Sequence, residues 1–191
     1  MKEVEIKERR QRAFTESALK QDFEQTLSSR VERYLKVKPH EMVPLTEFAP
    51  VSAECALLFR DGHFYGSISL SQAVAEAVVK FLCQKNGWRP TRNFEGNVTK
   101  LETRKFISSN MKDKLLRIWD RRDDYHHLNP TIETDRKKLE SLAYEKVLLL
   151  KEIESEVFKF SIVNGKLVPE NIKYWDLQQD GTVPAFLRFE P

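Results

Sequence analysis

Apolar residues return along this chain with a helical rhythm over most of its length. Leu19, Phe23, Leu27, Val31 and Leu35 recur every four residues, a single stripe on one helix. Residues 1–13 before them are mixed in charge and poor in apolar content, and read as a solvated helical terminus. Lys36 and Lys38 suit the end of this helix and Pro39 stops it. Pro39, Pro44 and Pro50 punctuate a connecting loop, whose Val43, Leu45 and Phe48 are expected to pack on the body. A second helix is predicted over 51–60 and stopped by Asp61-Gly62. A third begins near His63 and runs to Asn86-Gly87. Its wide apolar set includes Phe64, Ile68, Val74, Val78, Phe81 and Leu82, interleaved with small Gly66, Ser67 and Ser71, which predicts the central, most buried helix. Residues 88–97 read as a loop. Helical pattern resumes over 98–104, over 109–128 as one longer helix broken by Asn129-Pro130, and over about 133–158.

The rhythm then changes. Phe160 to Val163 and Lys166 to Val168 alternate around Asn164-Gly165, the strongest short hairpin signal in the chain. Beyond Pro169, Tyr174, Trp175, Phe186 and Phe189 argue that the tail packs on the body or on a partner. The fold class that follows is all-α: a helical bundle of four to five main helices with a short C-terminal β-hairpin tail. The chain divides into 1–49 (helix and Pro-punctuated loop), 50–158 (bundle) and 159–191 (hairpin and aromatic tail).

Composition narrows the class. With 191 residues, 40% hydrophobic and 32% charged, this is one helix-rich globular domain with appendages, not a disordered chain. No apolar run approaches the roughly 18–20 residues that span a bilayer, and the first ten residues lack the apolar core of a signal peptide. The expectation is a cytoplasmic protein with no membrane contact. Cys55 and Cys83 lie in apolar helical patterns and read as reduced core residues. A net charge of +3 does not by itself argue for nucleic acid.

The six glycines form no phosphate loop, and there is no Cys-x-x-Cys, no His-x-x-x-His and no nucleophile elbow. No cofactor or metal is expected. What remains is Arg121-Arg122-Asp123-Asp124-Tyr125-His126-His127, which closes the apolar run of Leu115, Leu116, Ile118 and Trp119. Arginine holds phosphate oxygens with paired hydrogen bonds. Histidine titrates near neutrality and can move the proton of an attacking 2′-hydroxyl or a leaving 5′-oxygen. RNA supplies its own nucleophile, so this pair needs neither metal nor covalent residue. The same spacing also fits a solvated helix end whose His and Arg favour the helix dipole. Glu76 is either a partner facing the motif or a residue on the polar side of its helix. Tyr125 stacks on a base or packs.

In order and content, the small-residue-rich helix opened by Asp61-Gly62-His63-Phe64-Tyr65, with Gln72, Glu76 and Lys80 along it, followed by the helix ending in Arg121 to His127, resembles the HEPN superfamily over about residues 50–158. The family's signature is Arg, a polar residue, three variable residues, then His; Arg122 to His127 fits with Asp123 in the polar slot. The frame Arg121 to His126 also fits the spacing but places Arg122 in that slot. The resemblance implies a metal-independent endoribonuclease of a defence or toxin–antitoxin system. Its products would be 2′,3′-cyclic phosphate and 5′-hydroxyl ends. It implies Arg122 on the scissile phosphate, His127 as acid or base and Asp123 orienting them, with His126 and Arg121 second. It further implies RNA as substrate, a homodimer through the motif face, and an antitoxin or activator protein as regulator. A Tyr two residues after the motif His often marks members regulated by a nucleotidyltransferase antitoxin; here that position is Asn129. The alternative from the same resemblance is a non-catalytic HEPN-like binding or assembly module. On an ideal helix Arg122 and His127 lie about 140° apart, whereas Arg122 and His126 share a face.

Overall fold

The computed structural model describes residues 2–188, with side chains from Val4 onward; Phe189 lies outside the described residues. The chain is mostly helical, with two short strand pairs. Its helices are α1 (Lys2–Val37), α2 (Ala49–Arg60), α3 (Phe64–Lys85), α4 (Phe94–Thr103), α5 (Ser109–Trp119), α6 (Arg122–His127) and α7 (Arg136–Val157). Its strands are β1 (Met42–Pro44), β2 (Phe160–Val163), β3 (Lys166–Pro169) and β4 (Ala185–Leu187).

The apolar width of α3 has the predicted consequence. It lies at the centre, packed against α2, α4, α5, α6 and α7, with Ile68, Val78 and Leu82 fully buried. Its small residues let α2 close in: Ser67 Oγ donates to the Cys55 carbonyl at 3.1 Å across the two helices. Among the described helices α3 alone is long and apolar enough to cross a membrane, and 56% of that stretch is buried inside the fold. Cys55 and Cys83 are both buried and free.

Local signals explain several boundaries. Pro50 is tolerated in a first helical turn, so α2 opens at Ala49, ahead of the predicted start. α4 opens at Phe94, not at 98, because the Asn93 side chain caps it by accepting from Gly96 N. Asp135 caps α7, accepting from Lys137 N and Lys138 N at 3.0 Å. The hairpin forms as read: β2 and β3 pair antiparallel, with Asn164 (φ 51°) and Gly165 (φ 75°) both left-handed at the turn.

Two readings change, and one pattern takes a setting the sequence did not specify. The loop carrying Val43 contains a strand, β1, which pairs antiparallel with β4 from the far end of the chain, Val43 opposite Phe186. Val43 and Phe48 are buried as expected, but Leu45 is 57% exposed. Just after β4, Arg188 is buried and bonds both carboxylate oxygens of Glu154 on α7 at 2.8 Å. Secondly, α1 does not bury its apolar stripe. It rests on the body through Arg30, Arg33, Tyr34 and Val37, with Arg33 Nε 3.0 Å from Glu140 and Arg30 2.7 Å from Asp61. Thirdly, the single helix predicted over 109–128 is two helices, separated by a break at Asp120 and Arg121.

Candidate functional site at the break between two helices

The break makes the site. Asp120 is extended (φ −51°, ψ 135°) and Arg121 is left-handed (φ 58°). Both conformations strand carbonyls that a continuous helix would have bonded. Lys146 of α7, 1% exposed, takes them up: its Nζ donates to the carbonyls of Arg117, Ile118 and Asp120 at 3.1, 2.8 and 3.0 Å. Buried Gln72 of α3 adds a bond from Nε2 to the Asp120 carbonyl at 3.2 Å. An ammonium at the C-terminal end of α5 also meets the negative end of the helix dipole. Burial pulls the Lys146 pKa down to about 8, against the preference of three carbonyls for its charged form.

Beyond the break, α6 is held by side chains of its own first turn. Arg121 pairs with Asp124 at 3.0 Å, donates to the Thr131 carbonyl and covers the Tyr125 ring. Asp124 accepts from Thr131 Oγ1 at 2.7 Å and from Asn129 Nδ2 at 3.3 Å. The Thr131 hydroxyl, then Arg121, hold its carboxyl below the usual range. Arg121 and Asp124 are thus spent on fastening α6 to the segment that follows. Tyr125 is buried beside Tyr65, ring centroids 6.3 Å apart, and packs.

Arg122 and the histidines face outward. The Arg122 guanidinium lies over Trp119, 5.4 Å from the ring centroid, and Nη1 is 3.0 Å from Asp123 Oδ1. Its Nε is buried without a hydrogen-bond partner. Trp119 is itself fixed by stacking on Phe94 of α4, centroids 4.1 Å apart and planes at 12°. Because α6 stays helical from Arg122 to His127, His126 lies one turn above Arg122 and His127 points about 140° away from it. His126 faces α3. Burial lowers its pKa, and Arg122 and His127 lower it further, against the opposing influence of Ser69 and Glu76. Glu76 is ion-paired with Lys80 at 2.6 Å on the same α3 face. The structure thus pairs Arg122 with Asp123, sets His126 one turn along within electrostatic reach of Arg122 and Glu76, and leaves both histidines exposed, His127 on another side of the helix.

A cleft of about 470 Å³ opens beside the motif, between Trp119, Arg121, Arg122 and Asp123 and the α4 residues Glu95 and Thr99. Neither histidine lines it. Across α4 from this cleft the surface is basic. Arg89, Arg92, Lys100, Arg104 and Lys105 are all exposed, and none has a carboxylate partner among the described residues. Lys100 and Arg104 lie over Trp88, 4.8 and 5.2 Å from its centroid. Among the described residues no three His, Cys, Asp or Glu side chains converge as metal ligands.

Sequence reasoning missed Lys146, and named Gln72 only within the resemblance and without the role both have, holding the break open. A signal existed for Lys146: it falls on the face of α7 marked by Leu139, Ala143, Leu150 and Ile153, where a charge demands a buried partner. No family model, curated protein or solved structure matches this chain.

Proposed function

We propose that this chain is a metal-independent endoribonuclease of HEPN type, built on a HEPN-like helical bundle, as its resemblance to that superfamily implies. The observation that carries the reading is the Arg122–His126 pair: a guanidinium pinned on Trp119 with an unsatisfied Nε, one turn from an exposed imidazole whose pKa burial and Arg122 lower. Arg122 binds the scissile phosphate. An imidazole takes the proton from the ribose 2′-hydroxyl as that oxygen attacks phosphorus; the bond to O5′ breaks and a second acid returns a proton to O5′. The products are a 2′,3′-cyclic phosphate and a 5′-hydroxyl. Helical geometry favours His126 over the signature residue His127 for the first role, and the second acid comes from the histidines of a facing copy. Asp123 and Glu76 orient the pair. The unpaired cations around α4 supply a path for the RNA backbone next to the site. The same reading has two copies facing each other through α6, a defence or toxin–antitoxin role in the cytoplasm, and an antitoxin or activator as regulator.

A second reading, a non-catalytic HEPN-like binding or assembly module, is favoured by the cleft, which no histidine lines and whose wall sets Arg122 among the carboxylates of Glu95, Asp120, Asp123 and Asp124. One experiment separates the two. RNA is incubated in excess chelator with wild type, Arg122→Ala, His126→Ala and His127→Ala, and product ends are identified. Cyclic-phosphate ends from wild type, reduced at least about a hundredfold by Arg122→Ala and His126→Ala, support the enzyme. RNA binding that needs Arg122, with no cleavage, supports the module.

A further inference from the structure

The 36-residue α1, about 54 Å long at 1.5 Å per residue, carries two stripes set about 100° apart. Thr26, Arg30, Arg33, Tyr34 and Val37 are half-buried or buried against the body. Leu19, Phe23, Leu27, Val31 and Leu35 point away from it and are 65, 45, 44, 47 and 67% exposed. A groove of about 390 Å³ runs beside them, floored by Phe23, Leu27, Tyr34 and Leu35. A lone helix gains little from its own propensity in water, and a contiguous apolar surface of this size marks an interaction site.

We infer that this stripe is the contact between two copies of this chain, α1 crossing α1 antiparallel with the twofold axis at Leu27. The stripe is its own complement under that operation. Leu27 meets its counterpart, Phe23 meets the partner's Val31, and Leu19 approaches the partner's Leu35, each aliphatic or aromatic. An isologous contact requires such self-matching. Spacing in steps of four is the i±4n ridge, which interlocks with a second such ridge at a crossing of about −50°. That places Phe23, Leu27 and Val31 at the centre and the two outer leucines at its rims.

Area and charge agree. At roughly 150–200 Å² for a fully exposed large apolar residue, the five expose on the order of 450 Å² per copy, the apolar share of the about 800 Å² a partner contributes to a standard interface. Residues 16–26 hold Glu16, Asp22 and Glu24 against Lys20; residues 28–38 hold Arg30, Arg33, Lys36 and Lys38 against Glu32. Antiparallel pairing sets the acidic half beside the basic half, whereas parallel pairing sets like beside like. Arg30, Arg33 and Lys38 each also have a carboxylate in their own protomer, so charge selects the orientation and the apolar stripe supplies the affinity. The contact does not depend on the ribonuclease reading.

The test is sedimentation velocity on the full chain at micromolar concentration. Wild type self-associates, and Leu27→Glu weakens that association at least about tenfold with an unchanged helical circular dichroism spectrum, since Leu27 is 44% exposed and outside the core. If a second contact also forms, wild type is a tetramer and Leu27→Glu a dimer. Orientation is read by thiol cross-linking: a mixture of Phe23→Cys and Val31→Cys chains joins as a mixed pair. A monomeric wild type, which would hand the stripe to a different protein, overturns the inference. So does a dimer that survives Leu27→Glu, or Phe23→Cys chains that join each other and not the Val31→Cys chain.

Discussion

Two parts of this molecule concentrate charge, and they treat it in opposite ways. Along α7, Lys146 and Glu154 are 1% exposed and their own charged atoms all find partners: three carbonyls for one, both terminal nitrogens of Arg188 for the other, although Arg188 Nε is buried without one, as Arg122 Nε is. Along α6, Arg122 keeps a donor unsatisfied, Asp123 is 76% exposed at its side chain, and His126 and His127 face out. A buried charge with a full set of partners holds a shape. A charge left incompletely partnered at the surface is available to a ligand. The two are joined, because the lysine that is buried on α7 fixes the break from which α6 begins.

Substitutions should separate the two by what they damage. The largest loss of stability is expected from Glu154→Ala, which leaves Arg188 buried and unpaired; about 3–5 kcal/mol is the usual scale for breaking such a pair, read from urea denaturation. A loss under about 1 kcal/mol would mean that Arg188 escapes to water and that the contrast is overstated. Next comes Lys146→Met, which takes the donor from the Arg117 and Ile118 carbonyls and leaves the Asp120 carbonyl to Gln72 alone, at a cost of about 1–3 kcal/mol. It should also disorder the α5–α6 junction, lowering any RNA cleavage without altering Arg122 or the histidines. The same lysine gives a pH signature. Its folded pKa, about 8, is below its unfolded value near 10.5, so between those values the unfolded chain binds more protons. Wild type should therefore gain stability relative to Lys146→Met as pH rises from 8 to 10.5, and the two should run parallel below pH 7. Arg122→Ala is expected to have the smallest effect on stability, within about 0.5 kcal/mol, while removing cleavage or RNA binding. A large destabilisation by Arg122→Ala would place Arg122 with the structural charges and break the comparison from the other side.

Much of this arrangement is written in local pattern. The width of the α3 apolar face announced the central helix, and Asn164-Gly165 announced the hairpin, because both signals are short-range and steric. The break at Arg121 was not legible. Residues 109–121 contain no Gly or Pro, and nothing local forbids a helix there; the break persists because Lys146 and Gln72, from two other helices, satisfy what it exposes. Asn93 was readable as a cap but lay in a stretch rich in turn residues that masked it. The α1 stripe was found correctly as a pattern, yet a periodic apolar face says only that something covers it, not whether that is the chain's own body. At the motif, residue types and spacing picked out Arg122 and both histidines, and only the helical register of α6 ranks His126 above His127 as its partner.

The latch between the two ends of the chain has a kinetic side. β1 pairs with β4, and Arg188 bonds residues as far back as His40, 148 positions away. Helical contacts between neighbours in sequence close short loops and form early, whereas this contact must wait for a loop of nearly the whole chain to close. The latch is therefore expected to form last, after the barrier is crossed. Loosening it should leave the refolding rate nearly unchanged and appear almost entirely as faster unfolding, so the latch governs how long a folded molecule lasts more than how quickly one is made.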